Sequence, residues 1–233
     1  MHRLARIDLG PLAAAAGAAV VAALGARDEA VRETARLVVR AGSVRAPGQR
    51  WEYYNGNYFL AGAVLAALHG TTFERALDDL VLRPWAMAAT GFAPRADLVR
   101  GVERGVALPE EAYPRGRRPS GGLSSTAGDL LTFAEHLLDD RPLLTHVATV
   151  RTTPDDPVRY GLGWALGPSR QLYLNGRLAG YRAAFLLVPE HRLAAVVLAA
   201  DSAALPAAAR VLSEVQRDLT GDDLATLIDS FAA

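Results

Sequence analysis

Apolar positions along the 233-residue chain change their rhythm twice. Near the N-terminus they run together: Pro11–Leu24 is one unbroken stretch of small and apolar residues behind Arg3 and Arg6. A helix needs roughly 20 apolar residues to cross a bilayer, so this stretch predicts no stable membrane span. Two readings stay open. Residues 1–26 have the outline of a secretory signal ending at Gly25-Ala26, which implies export. Asp8 and Pro11 weigh against that, and an Ala-rich buried helix leaves the chain in the cytoplasm. From Asp28 to Val39 the pattern becomes amphipathic, with Ala30, Val31, Thr34, Ala35 and Val38 near helical spacing. Gly42–Arg50 reads as a loop around Pro47-Gly48, and Trp51–Tyr54 as a short extended run. Asn57 is expected to cap a helix over Tyr58–Leu68, closed by Gly70. Thr71 and Glu74 have capping-box spacing for the next helix, which ends before Pro84.

Periodicity then lapses over Ala93–Pro119, a stretch that reads as a surface excursion. It resumes in a helix that Thr126 caps, carrying Leu130, Phe133, Ala134 and Leu137; Asp139–Pro157 reads as a second loop. In the last third the rhythm shifts to strands: Tyr160–Leu166, Gln171–Leu174, Tyr181–Val188 and Leu193–Ala200. Their near-continuous apolar runs imply cover on both faces. Ala204–Leu219 is an amphipathic helix that can cover one face, and Asp222–Phe231 is a short helical piece. The expected class is α+β: a helical region, then a small antiparallel sheet with a C-terminal covering helix. The expected division is an Ala-rich segment at 1–32 and a single domain at 33–233.

Composition narrows the chemistry. The chain has 25 Arg, no Lys and no Cys, and its formal net charge is zero. That excludes Schiff-base chemistry, thiol nucleophiles, disulfides and thiolate metal sites. It also gives no general pull toward nucleic acid. The five His residues show no metal spacing, and no Gly-x-Ser-x-Gly elbow surrounds any of the eight serines. Ser124 and Ser125, just before a helix, read as caps, and Arg115, Arg117 and Arg118 as a solvated basic cluster.

Three ordered segments remain. The first is Pro47–Tyr58, containing Tyr53-Tyr54-Asn55, followed by Leu82-Arg83-Pro84-Trp85-Ala86-Met87. The second is Pro119-Ser120-Gly121-Gly122-Leu123-Ser124-Ser125-Thr126. The third is Tyr160-Gly161-Leu162-Gly163-Trp164 with Asn175-Gly176-Arg177-Leu178-Ala179-Gly180-Tyr181. In this order, over roughly Glu33–Leu219, the chain resembles the β-lactamase-related serine hydrolases. That family includes class C β-lactamases, D-alanyl-D-alanine carboxypeptidases and related esterases. The resemblance implies a partial β-lactamase/transpeptidase-like fold and no cofactor. It implies that Tyr53 relays a proton and Asn55 hydrogen-bonds substrate, as the Tyr-x-Asn motif does. Gly121, Gly122, Asn175 and Gly176 are the implied substrate-binding positions.

Two departures from the family pattern bear on activity. The family's nucleophile lies in Ser-x-x-Lys; here Ser43 is the single serine before Tyr53, and no lysine exists. The basic residue of the third motif aligns with Leu174. A phenol with a pKa near ~10 is almost wholly protonated at pH 7 without a nearby cation. Arg177 or Arg182 could supply charge, but arginine does not give up its proton. The expectation is a truncated, catalytically impaired member of a hydrolase family. The alternative is a non-catalytic module binding peptidoglycan-like or acyl-amide ligands. If active, the chain takes a small-molecule or peptide-like substrate. An open sheet edge is expected where the family's N-terminal strands would lie, filled by Leu12–Leu24 or by forming a homodimer.

Overall fold

A computed structural model describes residues 29–43, 46, 48–93, 96–109 and 113–231. Pro11–Leu24, most of the expected 1–32 segment and Pro47 lie outside the described residues. The architecture is α+β, divided into two compact units. One draws on the chain up to Pro84, Thr90–Pro94 and Glu111–Ser124; the other on Trp85–Ala89, Arg95–Glu110 and Ser125–Ala233.

The first unit is helical. Helix α1 (Ala30–Ala41) buries Ala30, Val31, Ala35 and Val38 along one stripe. It packs against α2 (Asn55–Leu68) and against a 3-10 turn at Arg115–Ser120. The turn approaches both helices closely. A Cβ on Gly116 would lie 2.2 Å from Thr34 Oγ1, and one on Gly62 would lie 2.4 Å from Pro119 Cγ.

Helix α2 begins at Asn55, earlier than expected, and Asn57 lies inside its first turn rather than capping it. The extended Tyr54 is the residue before the helix, and its side chain packs on the Val38–Phe59 cluster. Burial of that ring, rather than a polar cap, marks where the chain turns. Helix α3 (Phe73–Leu77) runs on as a π turn, Asp78–Leu82. Its cap is Thr72, whose Oγ1 accepts from Arg75 N at 3.2 Å, and not Thr71. Thr71 is already engaged: its N–H closes α2 on Ala66 O at 3.1 Å.

Glu74 of α3 ties the 3-10 turn down. Its Oε1 accepts from Arg115 Nε at 2.8 Å and from Arg118 Nη1 at 2.6 Å. The Arg118 guanidinium also lies 5.0 Å over the Phe92 ring. Burial opposes ionisation of Glu74, but the Arg115 and Arg118 hydrogen bonds outweigh it and hold the carboxyl below its ordinary range. Two members of the expected solvated arginine cluster are therefore structural.

The second unit is built on a sheet. Thr126 caps α4 (Ala127–Asp139) as expected, accepting from Asp129 N at 3.2 Å. Neither preceding serine is the capping residue; Ser124 exchanges backbone hydrogen bonds with Gly91 at 2.9 Å. Helix α5 (Arg141–Ala148) interrupts the expected second loop, with Asp140 Oδ1 accepting from Leu143 N at 2.9 Å. The first excursion holds a small hairpin, β1 (Val102–Glu103) and β2 (Val106–Ala107), turning through Arg104 and Gly105 at positive φ.

The main sheet is antiparallel in the order β3 (Ala165–Leu166), β4 (Leu172–Leu178), β5 (Tyr181–Val188), β6 (Leu193–Ala199). Phe185 and Leu187 face Ala134, Leu137 and Trp164 on one side. Helix α6 (Leu205–Thr220) packs over β5 and β6. Short helix α7 (Ala225–Ser230) lies against β4. Buried Gln171 joins these parts, donating to Gln216 Oε1 at 3.1 Å and Asp222 Oδ2 at 2.7 Å. Among the described residues β6 has no strand partner along its outer edge. Among them, too, no helix is long and apolar enough to cross a membrane.

Glu74→Gln is expected to cost on the order of 3 kcal/mol at pH 7, because two half-buried guanidinium groups lose their counter-charge. Urea midpoints measure it. Because the folded carboxyl titrates below its unfolded value, the contribution is present above about pH 4.3 and is lost as pH falls through the folded value. The gap between wild type and variant should close in acid.

Candidate active site

Tyr53 and Asn55 sit where the extended run Trp51–Tyr54 enters α2. The Tyr53 hydroxyl donates to Asn55 Oδ1 at 3.3 Å, so the two motif residues form a pair. Tyr53 is half-buried. Burial pushes its phenol above the ordinary value, and the neighbouring phenols Tyr58 and Tyr113 push the same way. The group is therefore a neutral hydrogen-bond donor at pH 7. It can orient or protonate a ligand atom, but it is not a ready base.

Gly121 and Gly122 follow the 3-10 turn that Glu74 holds. Gly122 has φ +77°, and a Cβ there would lie 2.2 Å from Cγ and Cδ1 of Tyr113. The Tyr113 ring thus rests directly on the glycine backbone. Its hydroxyl would stand 3.3 Å from a Cβ on Gly121. Tyr113 rests on the glycine segment and is among the phenols that raise the Tyr53 pKa, and sequence reasoning passed over it. An isolated aromatic residue in a Pro- and Gly-rich excursion was the available signal.

Asn175 and Gly176 belong to the second unit, on β4. The Asn175 carboxamide donates to Ile228 O at 2.6 Å and Phe231 O at 2.8 Å. It satisfies carbonyls at the end of α7, so its donor is committed inside the protein. Gly176 pairs with Ala183, and a Cβ on it would meet Ala183 Cβ at 3.5 Å, an ordinary contact. Leu174, which the resemblance aligns with the family's basic position, packs on the cluster around Trp164, Leu172 and Phe185.

The arginines that could supply charge in its place are occupied. Arg177 donates to Asp229 O, and Arg182 to Leu178 O at 2.8 Å and Tyr181 O at 2.7 Å. Tyr181 is a clamp: its hydroxyl accepts from Gly101 N and donates to Val99 O, each at 2.9 Å. Among the described residues no group of three or more His, Asp or Glu could hold a metal ion.

Comparison with known proteins follows the same lines. A human beta-lactamase-like 1 protein is 36% identical over 173 residues, covering 66% of this chain and 34% of that protein. The chain thus spans about a third of that curated relative's length. Two solved structures share the fold. An octameric penicillin-binding protein homologue from Pyrococcus abyssi superposes with a TM-score of 0.67 at 21% identity, over 81% of this chain and 47% of that one. A D-stereospecific amidohydrolase from Streptomyces sp. gives 0.61 at 18%, over 88% and 67%. A family model described as Beta-lactamase matches residues 10–215, so the chain belongs to the beta-lactamase family.

Proposed function

We propose that these 233 residues are a hydrolase-derived member of their family that does not by itself run an acyl-enzyme cycle. What carries the reading is the set of proton-transfer groups. The 233 residues hold no lysine, and Leu174 stands where the family places a base. Tyr53 is held as a neutral phenol. A serine hydroxyl needs a positioned base before it attacks a carbonyl, and arginine cannot serve as one.

The second reading, a binding module, is favoured by the Tyr53–Asn55 pair. A phenol and a carboxamide hydrogen-bonded to one another suit a planar acyl-amide group, of the kind a peptidoglycan-like ligand presents. The amidohydrolase among the structural neighbours supports that ligand class. The homodimer rests on the outer edge of β6. A monomer by light scattering at all concentrations would remove it.

Treatment with a fluorophosphonate or a penicillin, followed by intact mass measurement, is expected to leave the purified chain unmodified. Acylation at one serine would overturn the impaired reading. Titration calorimetry with N-acetyl-D-alanyl-D-alanine amide is expected to detect binding, and complete silence counts against the module.

Tyr53 also makes a pH prediction. Its folded pKa is raised, so its contribution to stability is full below the unfolded value near ~10 and is lost as pH rises through the folded value. Tyr53→Phe should flatten the alkaline decline in urea stability. Part of the decline should persist through Tyr173, which burial also pushes up. An unchanged alkaline slope in the variant would contradict the assignment.

A further inference from the structure

We propose that the chain dimerises through one two-layered surface, in which β6 pairs antiparallel with β6 of a second copy and the outer flanks of the two α6 helices pack together over the joined strands. This deepens the homodimer reading given above and rests on it. The two edges of the main sheet differ. At one edge β3 is two residues long, which leaves little for another chain to pair with. At the other, β6 runs for seven residues, Leu193–Ala199, built only of leucine, alanine and valine. It carries no charge and no proline, the residues with which exposed strand edges are usually blunted. Its Leu198 is 41% exposed.

Helix α6 repeats the pattern one layer above. Its sheet-facing side buries Leu205, Ala208, Ala209 and Leu212. One flank is turned toward the segment that leads into α7. There Ser213 Oγ accepts from Leu224 N at 2.8 Å, and Gln216 Nε2 donates to Asp222 O at 2.7 Å. Because α7 lies against β4, the opposite flank of α6 looks over the free edge of β6. That flank is a stripe at four-residue spacing: Ala207, Val211, Val215 and Leu219. Its three larger residues are 45–48% exposed, so their burial remains to be gained.

Both layers call for the same symmetry. Opposed residues of antiparallel strands share a face, so a two-fold axis through the middle of β6 pairs Val196 with itself. It sets Leu198 against the partner's Ala194, large against small. The axis also keeps both α6 helices on one face of the joined sheet. Strands lie about 4.8 Å apart, and α6 sits over β5 and β6 together. Two such helices then stand about 10 Å apart, an ordinary distance for packed helices. They meet in step as well, since α6 runs back over the strand it follows. Val196 lies about 10 Å back from Ala199, and the midpoint of Val211 and Val215 about 12 Å on from Leu205. The axis therefore sets Val211 against the partner's Val215, and Ala207 against the partner's Leu219. Arg210 and Glu214 border the stripe on its solvent side, and each Arg210 comes beside the partner's Glu214.

The chain has no cysteine, so introduced cysteines report on this surface without background. Val211→Cys and Val215→Cys variants, mixed in equal amounts and oxidised, should form a mixed disulfide dimer. Val64→Cys, also exposed but on α2, should form none. In sedimentation equilibrium the wild type should dimerise. Val211→Lys should weaken the dimer about a hundredfold, because a charge enters the apolar seam from each copy. Val64→Lys should leave it unchanged. A wild-type dimer that yields no mixed disulfide, or that survives Val211→Lys, overturns this surface and leaves the homodimer standing. Equal cross-linking through Val64→Cys overturns it too. A monomer at every concentration overturns the homodimer itself and leaves the face to another partner.

Discussion

The second unit depends on the burial of β5. Phe185, Leu186, Leu187 and Val188 are each at most 6% exposed, and the strand is paired on both edges. Successive side chains point to opposite faces, so no single layer can cover them. Phe185 and Leu187 need α4 on one face, while Leu186 and Val188 need α6 on the other. Each such side chain is worth about 2 kcal/mol when buried and is a liability when not. The chain order follows: a covering helix before the strands and another after them. Helix α7 then lies against β4, its terminal carbonyls met by Asn175. That is why a residue at a motif position is engaged in holding the fold.

The first unit answers a different constraint, that of a half-buried charge. A lone carboxylate at Glu74 would cost several kcal/mol to desolvate, and two guanidinium groups offset that cost. The consequence reaches the site through covalent geometry. Arg115 and Arg118 bracket the 3-10 turn, so fixing them fixes the residues that follow, Gly121 and Gly122. Tyr113 can then rest on a backbone that does not move away from it.

Much of this was legible in the sequence, and the misses have physical causes. Tyr181–Val188 was readable because it is apolar on both faces, and the Thr126 cap because its partner is three residues away. The continuation of β4 to Leu178 was not: Asn175, Gly176 and Arg177 look like a turn, and pairing with β5 overrides their composition. Tyr160–Leu166 shrank to Ala165–Leu166, since Gly163 adopts φ +79° and breaks the run. Helix α5 was hidden because Asp140 and Pro142 look like loop residues, although both are also start signals for a helix. At the candidate site, Tyr53 and Asn55 were singled out by the family resemblance, and their side chains hydrogen-bond to one another. The Glu74–Arg115 and Glu74–Arg118 pairs could not, being 41 and 44 residues apart with no local signature.

The absence of lysine acquires a structural sense from these contacts. Every cation available to this protein beyond histidine and its N-terminus is a guanidinium. The structure uses several as fixed staples: to Glu74, to the carbonyls of Leu178, Tyr181 and Asp229, and to Asp79 through Arg75. A staple of this kind holds position and charge well, because it never loses its proton. For the same reason it cannot accept one from a serine or a phenol. A proton relay requires a group that changes state near neutral pH, and burial moves Tyr53 further from that condition. Turnover would require a base other than these arginines and Tyr53.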